Sequence, residues 1–297
     1  QALAGELGFA GLTITEAQDG AGLADVERAL VMMEMGRHLF MSPYFGTCVL
    51  ATEALQAVGG DTTEAFLKQI AAGNLTATFH ACADDTPLSH IANVVDGASA
   101  ELILLAKGQS LFAVHGSDAG LNRTPVATMD PTREIANLNV EAAAILPLYT
   151  GDDLASKIQM AQARAAIALA AEQVGGAEAM LNATVEYVLQ RKQFGRIVGG
   201  FQAVKHKCAD MMIAIEAAKS AVYYAAAMAQ TDDLIEYAAI AKSEASDAYV
   251  KVTGDAIQMH GGVGVTWEYD MHFHFKRARS GMNQLGSPQE WRETLAG

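Results

Sequence analysis

The amino-acid sequence predicts a mostly α-helical fold with a central β domain. Helical composition marks residues 24–74 and the span after about residue 152, whereas residues 76–150 contain short apolar runs separated by turn residues. Residues 148–287 contain no proline and are rich in Ala, Met, Glu and Gln, which favours long helices. The predicted order is therefore helices, a small β region and a helical bundle.

The first predicted domain is helical and covers residues 1–75. The run Asp25-Val-Glu-Arg-Ala-Leu-Val-Met-Met-Glu-Met has the composition of a helix. Asp25 is a suitable N-cap because its carboxylate can accept a backbone N–H of the first turn. We expect Met32, Met33 and Met35 to lie in the core rather than to contact a cofactor.

The second predicted domain is a β domain that covers residues 76–150. Apolar runs at 102–106 and 110–114 are separated by Lys107-Gly-Gln, a pattern typical of a β-hairpin. Residues 135–140 and 144–146 are predicted to supply further strands.

The third predicted domain, residues 151–297, is a four-helix bundle. Breaks at 195–200, 231–233 and 261–264 divide it into four helical stretches, as an antiparallel bundle requires. Gly175-Gly176 is expected to interrupt the first stretch, and these small residues suit close packing against a neighbour. Along the second stretch, apolar residues recur at the spacing of one helix face: Val204, Cys208, Met211, Ile215, Ala218 and Val222.

Charge and composition exclude several classes of function. Lys and Arg total 20 against 34 for Asp and Glu, so the formal net charge is −14. Nucleic acids and anionic membrane surfaces bind basic protein faces, so neither is expected as a partner of this acidic chain. A membrane span requires about 18 consecutive apolar residues, and the sequence contains no such run. The three cysteines are far apart and form no CxxC pair. Neither a disulfide framework nor a zinc site is predicted, and the cytoplasm is the default location.

Three segments near the C-terminus stand out together. Arg191-Lys-Gln-Phe-Gly195 ends one predicted helix, Phe201-Gln-Ala-Val-Lys205 begins the next, and Gln258-Met-His-Gly-Gly-Val-Gly264 ends a third. Each segment alone is more readily explained as a helix end. In this order and spacing they resemble the acyl-CoA dehydrogenases, flavoenzymes that oxidise the Cα–Cβ bond of acyl thioesters. The resemblance extends to Leu7-Gly-Phe-Ala-Gly-Leu near the N-terminus and to Val94-Val-Asp-Gly in the middle domain.

The resemblance implies an acyl-CoA dehydrogenase-like fold, with a C-terminal bundle that mediates tetramer formation, and FAD as cofactor. In relatives, the matching positions reach across a dimer interface and hold the ADP half of a flavin that the neighbouring subunit mainly binds. A guanidinium offers a fork of donors to a pyrophosphate, and glycines allow close backbone approach. Carried over residue by residue, the candidate cofactor-binding residues are Arg191, Phe194, Gln202, Gln258, Gly261 and Gly262.

The resemblance breaks at the catalytic base. The reaction removes an α-proton while a hydride leaves the β-carbon for the flavin, so a positioned carboxylate is required. Many relatives carry this glutamate just before a glycine, where the present sequence reads Gln284-Leu285-Gly286. A second family position falls near Ala165, which is also inert. Glu172 and Glu268 match neither position, so no catalytic residue is predicted in this chain.

A second departure lies in the middle domain. Relatives have a Thr-Glu-Pro and Gly-Ser-containing stretch that contacts the isoalloxazine ring of the flavin. Here residues 76–85 run within a few positions into Val94-Val-Asp-Gly, and no Thr-Glu-Pro is present. The resemblance therefore implies that the subunit lacks the ring-binding half of a flavin site of its own.

These features predict the non-catalytic subunit of a heteromeric acyl-CoA dehydrogenase. Arg191, Gly261 and Gly262 of this chain would contact an FAD that a catalytic partner subunit mainly binds. The complex would be a heterotetramer of two subunits of each kind. The acyl-CoA substrate would bind in the partner, and an electron-acceptor flavoprotein would interact with the complex. Paired enzymes of this kind are known in actinobacterial steroid side-chain β-oxidation, so steroid CoA esters are the implied substrates.

Two alternatives stay open. One is a homotetrameric acyl-CoA dehydrogenase whose base comes from an unrecognised position, and the other is a non-enzymatic scaffold with this fold. His272 and His274 lie two residues apart but have no carboxylate or thiol at ligand spacing, so no metal site is predicted.

Overall fold

A computed structural model describes residues 7–267 and 269–296 of the chain. The described backbone divides into two compact units, the first formed by residues 7–28 and 41–165 and the second by residues 29–40, 166–267 and 269–296. Helices come first, a β region follows, and long helices complete the chain. This order confirms the predicted fold class.

Short helices precede the β region, in the part of the chain where the sequence predicts helical structure. Helix α1 spans Asp25–Arg37, a π-helical segment at Phe45–Ala51 continues into α2 (Thr52–Val58), and α3 spans Asp61–Ala71. The prediction of Asp25 as N-cap is wrong, since Asp25 is already the first helical residue.

The Asp25 carboxylate has another role in the first unit. Together with Glu53 it forms ion pairs with the guanidinium of Arg28, which is 1% exposed. A buried guanidinium is tolerated only when charged acceptors surround it. The two carboxylates therefore fix the start of α1 against α2.

The middle region contains a four-stranded and a three-stranded sheet. The larger has the order β1-β3-β4-β7 and the smaller the order β2-β6-β5; only the β1–β3 pair is parallel among these described strands. The strands are β1 (Ala77–Ala81), β2 (Ile91–Val95), β3 (Leu102–Lys107), β4 (Ser110–His115), β5 (Asn122–Pro125), β6 (Ile135–Asn139) and β7 (Leu146–Thr150). Their apolar side chains form one core, which includes Ile91, Val94, Ile103, Leu105, Val114 and Leu138.

The predicted hairpin is confirmed, because β3 and β4 pair from Leu102–His115 to Lys107–Ser110. The predicted strand at 135–140 is found as β6, but the strand at 144–146 is wrong, since β7 begins only at Leu146. The N–H of Ala144 donates to a carboxylate oxygen of Asp118 at 3.2 Å instead of to a neighbouring strand.

The described part of the C-terminal region contains three long α-helices and two shorter ones. These are α4 (Leu154–Gln190), α5 (Gln202–Ala227), α6 (Leu234–His260), α7 (Met271–Asn283) and α8 (Pro288–Ala296). The fourth predicted helical stretch is therefore divided in two. On α5 the predicted apolar face is buried at Met211, Ile215, Ala218 and Val222.

The expected interruption at Gly175-Gly176 is wrong, because α4 is continuous through both residues. A Cβ on Gly175 would lie 2.8 Å from the Cα of Met33 and closer still to its carbonyl, and one on Gly176 would collide with the ring of Tyr249. Gly36 approaches the backbone of Glu172 in the same way. These glycines therefore permit close helix packing, as predicted, without ending the helix.

Lys242 joins the loop between α7 and α8 to α6. Its ammonium is fully buried and donates to the carbonyls of Gly281 (3.2 Å), Met282 (3.1 Å) and Gly286 (3.3 Å), and to the hydroxyl of Ser246 (2.9 Å). Two of these carbonyls belong to the last turn of α7, where helical carbonyls lack intrahelical partners. Burial lowers the pKa of Lys242 to about 8, although the charge of Asp247 opposes this shift.

Among the described residues, no helix combines the length and apolarity that crossing a bilayer requires. Cys48, Cys82 and Cys208, all within the described ranges, are free thiols.

We expect Gly175→Ala to lower the free energy of unfolding of the purified chain by about 3 kcal/mol, because the added methyl group meets rigid backbone. Gly254→Ala is the matched control. Gly254 also lies inside a long helix, but a Cβ there meets nothing within 4 Å, so alanine should stabilise the helix by up to about 1 kcal/mol. Urea unfolding measures both changes, and equal effects would contradict the packing argument.

Lys242 should make stability depend on alkaline pH. Its pKa of about 8 in the folded chain lies below the ordinary value near 10.4, so between these pH values the unfolded chain binds more protons. The contribution of Lys242 to stability should therefore rise with pH across this window, by about 3 kcal/mol in total, and be flat below pH 8. Lys242→Met should abolish this slope in urea unfolding, whereas Lys251→Met, at an exposed ammonium, should keep it. A slope that persists in Lys242→Met contradicts the assignment.

Candidate cofactor-binding site

A short β-hairpin follows α4 and carries the first two candidate residues. The N–H of Arg191 continues the helical pattern by donating to the carbonyl of Tyr187 at 2.9 Å, and the carbonyl of Arg191 accepts from Val198 at 2.8 Å. Strand β8 (Lys192–Gln193) then pairs with β9 (Arg196–Ile197). The hairpin thus returns the chain to the end of α4 and leaves the side chain of Arg191 exposed.

The turn of this hairpin has an unusual residue at its first position. Phe194 and Gly195 have φ values of 52° and 76°, which is the left-handed pair that a two-residue hairpin turn prefers. Asn or Gly normally occupies the first position, since a bulky side chain is strained there. The side chain of Phe194 is nevertheless 91% exposed, with its ring edge-on to Phe201 at 6.3 Å. Within the described residues, packing does not account for a phenylalanine at this position.

Gln202 is the first residue of α5 and its side chain is exposed. Just before it, the ring of Phe201 lies 3.7 Å from the guanidinium carbon of Arg196, which attaches the hairpin to the start of α5. One turn later, Lys207 forms an ion pair with Asp255 near the end of α6. These contacts place the start of α5 beside both the hairpin and the end of α6.

The end of α6 provides the remaining three candidate residues. Gly261, with φ 64°, ends the helix, and its N–H donates to the carbonyls of Gln258 and Ile257. A 3-10 turn at Gly261–Val265 follows. Cβ atoms added to Gly261 or Gly262 would meet nothing within 4 Å. Both glycines and the side chain of Gln258 are exposed, so an external group can approach this backbone closely.

Tyr187 and His260 bring the hairpin and the glycine turn together. Their rings stack with centroids 4.2 Å apart, and the hydroxyl of Tyr187 donates to the carbonyl of His260 at 3.3 Å. Since Arg191 is bonded to Tyr187 and Gly261 follows His260, the ends of α4 and α6 adjoin. Sequence reasoning did not single out Tyr187; its position one helical turn before Arg191 is the signal that was available.

The two family positions for a base carry no ionisable group. Leu285 lies in the loop between α7 and α8 with φ 58°, and its carbonyl accepts from the indole N–H of Trp291 at 2.9 Å. Ala165 is buried within α4. Glu172 forms an ion pair with Arg277, both side chains being 5% exposed, and is therefore held as a structural carboxylate. Glu268 lies outside the described residues.

The connection between β1 and β2 covers only residues 82–90 and is bonded to the rest of the β domain. The N–H of Cys82 donates to the carbonyl of Ala106 at 2.8 Å, and Lys107 donates to the carbonyls of Asp84 (2.7 Å) and Thr86 (2.5 Å). The segment is therefore a short link that hydrogen bonds hold against the end of β3.

The two histidines of α7 have different surroundings. His274 pairs through Nδ1 with the hydroxyl of Tyr249 at 2.8 Å, and burial lowers its pKa to about 4. His272 is buried beside Trp267, with ring centroids 4.6 Å apart. Over residues 7–267 and 269–296, no group of three potential ligands is arranged to hold a metal ion.

The exposed donor set suits the ADP half of a flavin. A pyrophosphate requires a cation and close backbone approach, which the exposed guanidinium of Arg191 and the open faces of Gly261 and Gly262 provide. The amide groups of Gln202 and Gln258 can bond to hydroxyl or carbonyl groups of a ligand. These five candidate residues therefore offer a cation, amide groups and open backbone of the kind that this half of the cofactor requires.

Two family models match most of the chain. Residues 2–74 match the acyl-CoA dehydrogenase N-terminal domain, and residues 153–296 match the acyl-CoA dehydrogenase C-terminal domain. A similar curated protein is acyl-CoA dehydrogenase IpdE2 of Mycobacterium tuberculosis, which is 38% identical over 285 residues, or 96% of this chain and 81% of the relative.

Solved structures show the same fold. The Tcur3481-Tcur3483 steroid ACAD, in a G363A variant, aligns with a TM-score of 0.86 at 27% identity and covers 99% of this chain and 86% of the solved chain. The ChsE4-ChsE5 complex of Mycobacterium tuberculosis aligns with a TM-score of 0.85 at 23% identity over 98% of this chain and 85% of the solved chain, which supports the fold alone. The chain therefore belongs to the acyl-CoA dehydrogenase family, as its C-terminal motifs predicted.

Proposed function

We propose that this chain is the non-catalytic, FAD-contacting subunit of a heteromeric acyl-CoA dehydrogenase. It contributes the contacts to the ADP half of an FAD whose ring is held by a catalytic partner subunit. The observation that carries the proposal is a contrast within one chain. The six candidate cofactor residues are exposed and fit an external ligand, whereas the base positions hold Leu285 and Ala165.

The residues of this chain bind and orient the cofactor. Arg191 neutralises the pyrophosphate through parallel N–H donors, and Gly261 and Gly262 let the backbone approach it without steric hindrance. Phe194 covers the ligand or the adjoining partner surface and excludes water from the charged contact. When bound, FAD accepts the hydride that leaves the β-carbon of the acyl group.

The partner supplies the proton acceptor. Removal of the α-proton requires a carboxylate within hydrogen-bond reach, and neither a leucine nor an alanine side chain can accept a proton. Glu172 does not substitute for it, because its pairing with Arg277 keeps the carboxylate engaged. The acyl-CoA substrate and the base therefore belong to the catalytic subunit, and an electron-acceptor flavoprotein reoxidises the complex.

Steroid CoA esters are the proposed substrate class. The similarity to IpdE2 and to the Tcur3481-Tcur3483 steroid ACAD supports this choice. The paired name of the second protein also supports assembly from two different chains. The homotetrameric enzyme and the scaffold are the competing functions that the following experiments separate.

The absorbance spectrum of the purified chain provides the first test. Alone, the chain should lack the flavin bands and should not dehydrogenate acyl-CoA, because it holds neither the ring half nor a base. Co-expressed with the products of neighbouring genes, it should purify as a yellow complex of two subunits whose mass is measured by native mass spectrometry. Bound flavin with acyl-CoA turnover by this chain alone would establish the homotetrameric enzyme instead.

Removal of the guanidinium provides the second test. Arg191→Ala should lower the affinity of the assembled complex for FAD by at least tenfold, since one charge-assisted bidentate contact is lost. Arg292→Ala is the control, because Arg292 is partly exposed and bonds to Asp247 on α6. Unchanged FAD content in Arg191→Ala would contradict the proposal and support the scaffold.

Phe194→Asn separates binding from stability. Asparagine favours the left-handed conformation, so the hairpin turn should be as stable as before or more stable. The aromatic contact is lost, however, and the FAD affinity of the complex should fall by about tenfold. The melting temperature and FAD titration of the same sample measure both effects. A wild-type FAD affinity in this variant would remove Phe194 from the site.

A further inference from the structure

We infer that Tyr187 and His260 are positioning residues that hold the guanidinium of Arg191 in register with the Gly261-Gly262 backbone. The inference rests on the proposed function, because it assigns a role in the same cofactor site. Neither residue is a candidate contact to FAD. Their effect passes through the residues that follow each of them in the chain.

Tyr187 is bonded to both halves of the site. Through its backbone carbonyl it accepts the N–H of Arg191 at 2.9 Å, which fixes the point where the hairpin leaves α4. Through its side chain it donates at 3.3 Å to the carbonyl of His260, which belongs to the peptide that joins His260 to Gly261. A displacement of Tyr187 therefore moves Arg191 relative to the glycine turn.

The side chain of His260 is also held in place, by burial and by a hydrogen bond to the backbone. Its ring is 5% exposed, and its Nδ1 lies 2.9 Å from the carbonyl of Ala256, which can only accept, so Nδ1 is the donor. Burial lowers the pKa of His260, and its ring stacks on that of Tyr187. The ring of Tyr269 also lies near that of His260, with centroids 6.2 Å apart.

This arrangement addresses a specific difficulty of the site. Arg191, Phe194, Gly261 and Gly262 are all exposed, and the hairpin that carries the first two contains only four strand residues. An exposed, mobile pair of elements would lose conformational entropy when it closed on a ligand. The Tyr187–His260 stack orders both elements before FAD binds, and so preserves affinity.

The test uses the assembled complex, depleted of flavin and titrated with FAD. Tyr187→Leu removes the ring and the hydroxyl, and should raise the FAD concentration for half-maximal activity by at least tenfold. Tyr187→Phe keeps the stack and loses one neutral hydrogen bond, so the rise should be about fivefold or less. Turnover at saturating FAD should stay at the wild-type value in both variants, because the partner performs the chemistry.

Tyr237→Leu is the matched control. Tyr237 also belongs to an aromatic pair between neighbouring helices, with Tyr224 at 4.9 Å, but it lies near the start of α6, far along the helix from Gly261. This variant should leave the FAD titration unchanged. The inference is overturned if Tyr187→Leu and Tyr237→Leu raise the FAD concentration for half-maximal activity equally. It is also overturned if turnover of Tyr187→Leu at saturating FAD falls in parallel with its melting temperature, because Tyr187 then acts only in general stability.

Arg191→Ala separates this inference from the proposed function. If Arg191→Ala raises the FAD concentration for half-maximal activity but Tyr187→Leu does not, the positioning role is overturned and the proposed function stands. If neither variant changes the FAD concentration for half-maximal activity, the proposed function is overturned as well. If both variants raise this concentration, turnover at saturating FAD is preserved and Tyr187→Phe shows a smaller rise than Tyr187→Leu, the positioning role and the proposed function are both supported.

Discussion

The backbone contact between α4 and the second half of α1 is the constraint on which the second unit depends. Gly36 and Gly175 let the two helices approach so closely that a methyl group at either position would collide with the facing backbone. Because glycine keeps its helical hydrogen bonds, α4 remains continuous up to Gln190. The helix therefore delivers Tyr187 and the hairpin to a defined position at its end.

Buried charges in the second unit are used for structure rather than for chemistry. Glu172 is paired with Arg277, and the ammonium of Lys242 is shared among three carbonyls and a hydroxyl. The loop that Lys242 holds contains Leu285, whose apolar side chain stands where the resemblance places a base. A buried ion or polar network of this kind is costly to disturb once formed. The position of this loop therefore depends on Lys242 and not on the side chain of residue 285.

The sequence predicted the parts of the molecule that depend on local patterns. Proline-free composition and apolar spacing located the long helices, and Lys107-Gly-Gln located the β3–β4 hairpin. It failed at Gly175, because only the partner backbone distinguishes a glycine needed for packing from a helix break. The candidate site followed from motif spacing, whereas the Tyr187–His260 stack joins residues 73 positions apart. The only signal in the sequence is the position of Tyr187 one helical turn before Arg191, and nothing local indicates that its partner is His260.

Exposed apolar side chains at the hairpin tip and after the glycine turn have a consequence for the supply of subunits. Phe194, Val265 and Trp267 are 91%, 63% and 75% exposed on a chain made without a partner. Uncovered apolar groups of this size promote self-association. Under the proposed function, chains synthesised in excess would be the ones exposed to aggregation and degradation, so balanced production of the two subunits protects this one. The ratio of the two subunits in the cell would then depend on the exposed surface around the cofactor site.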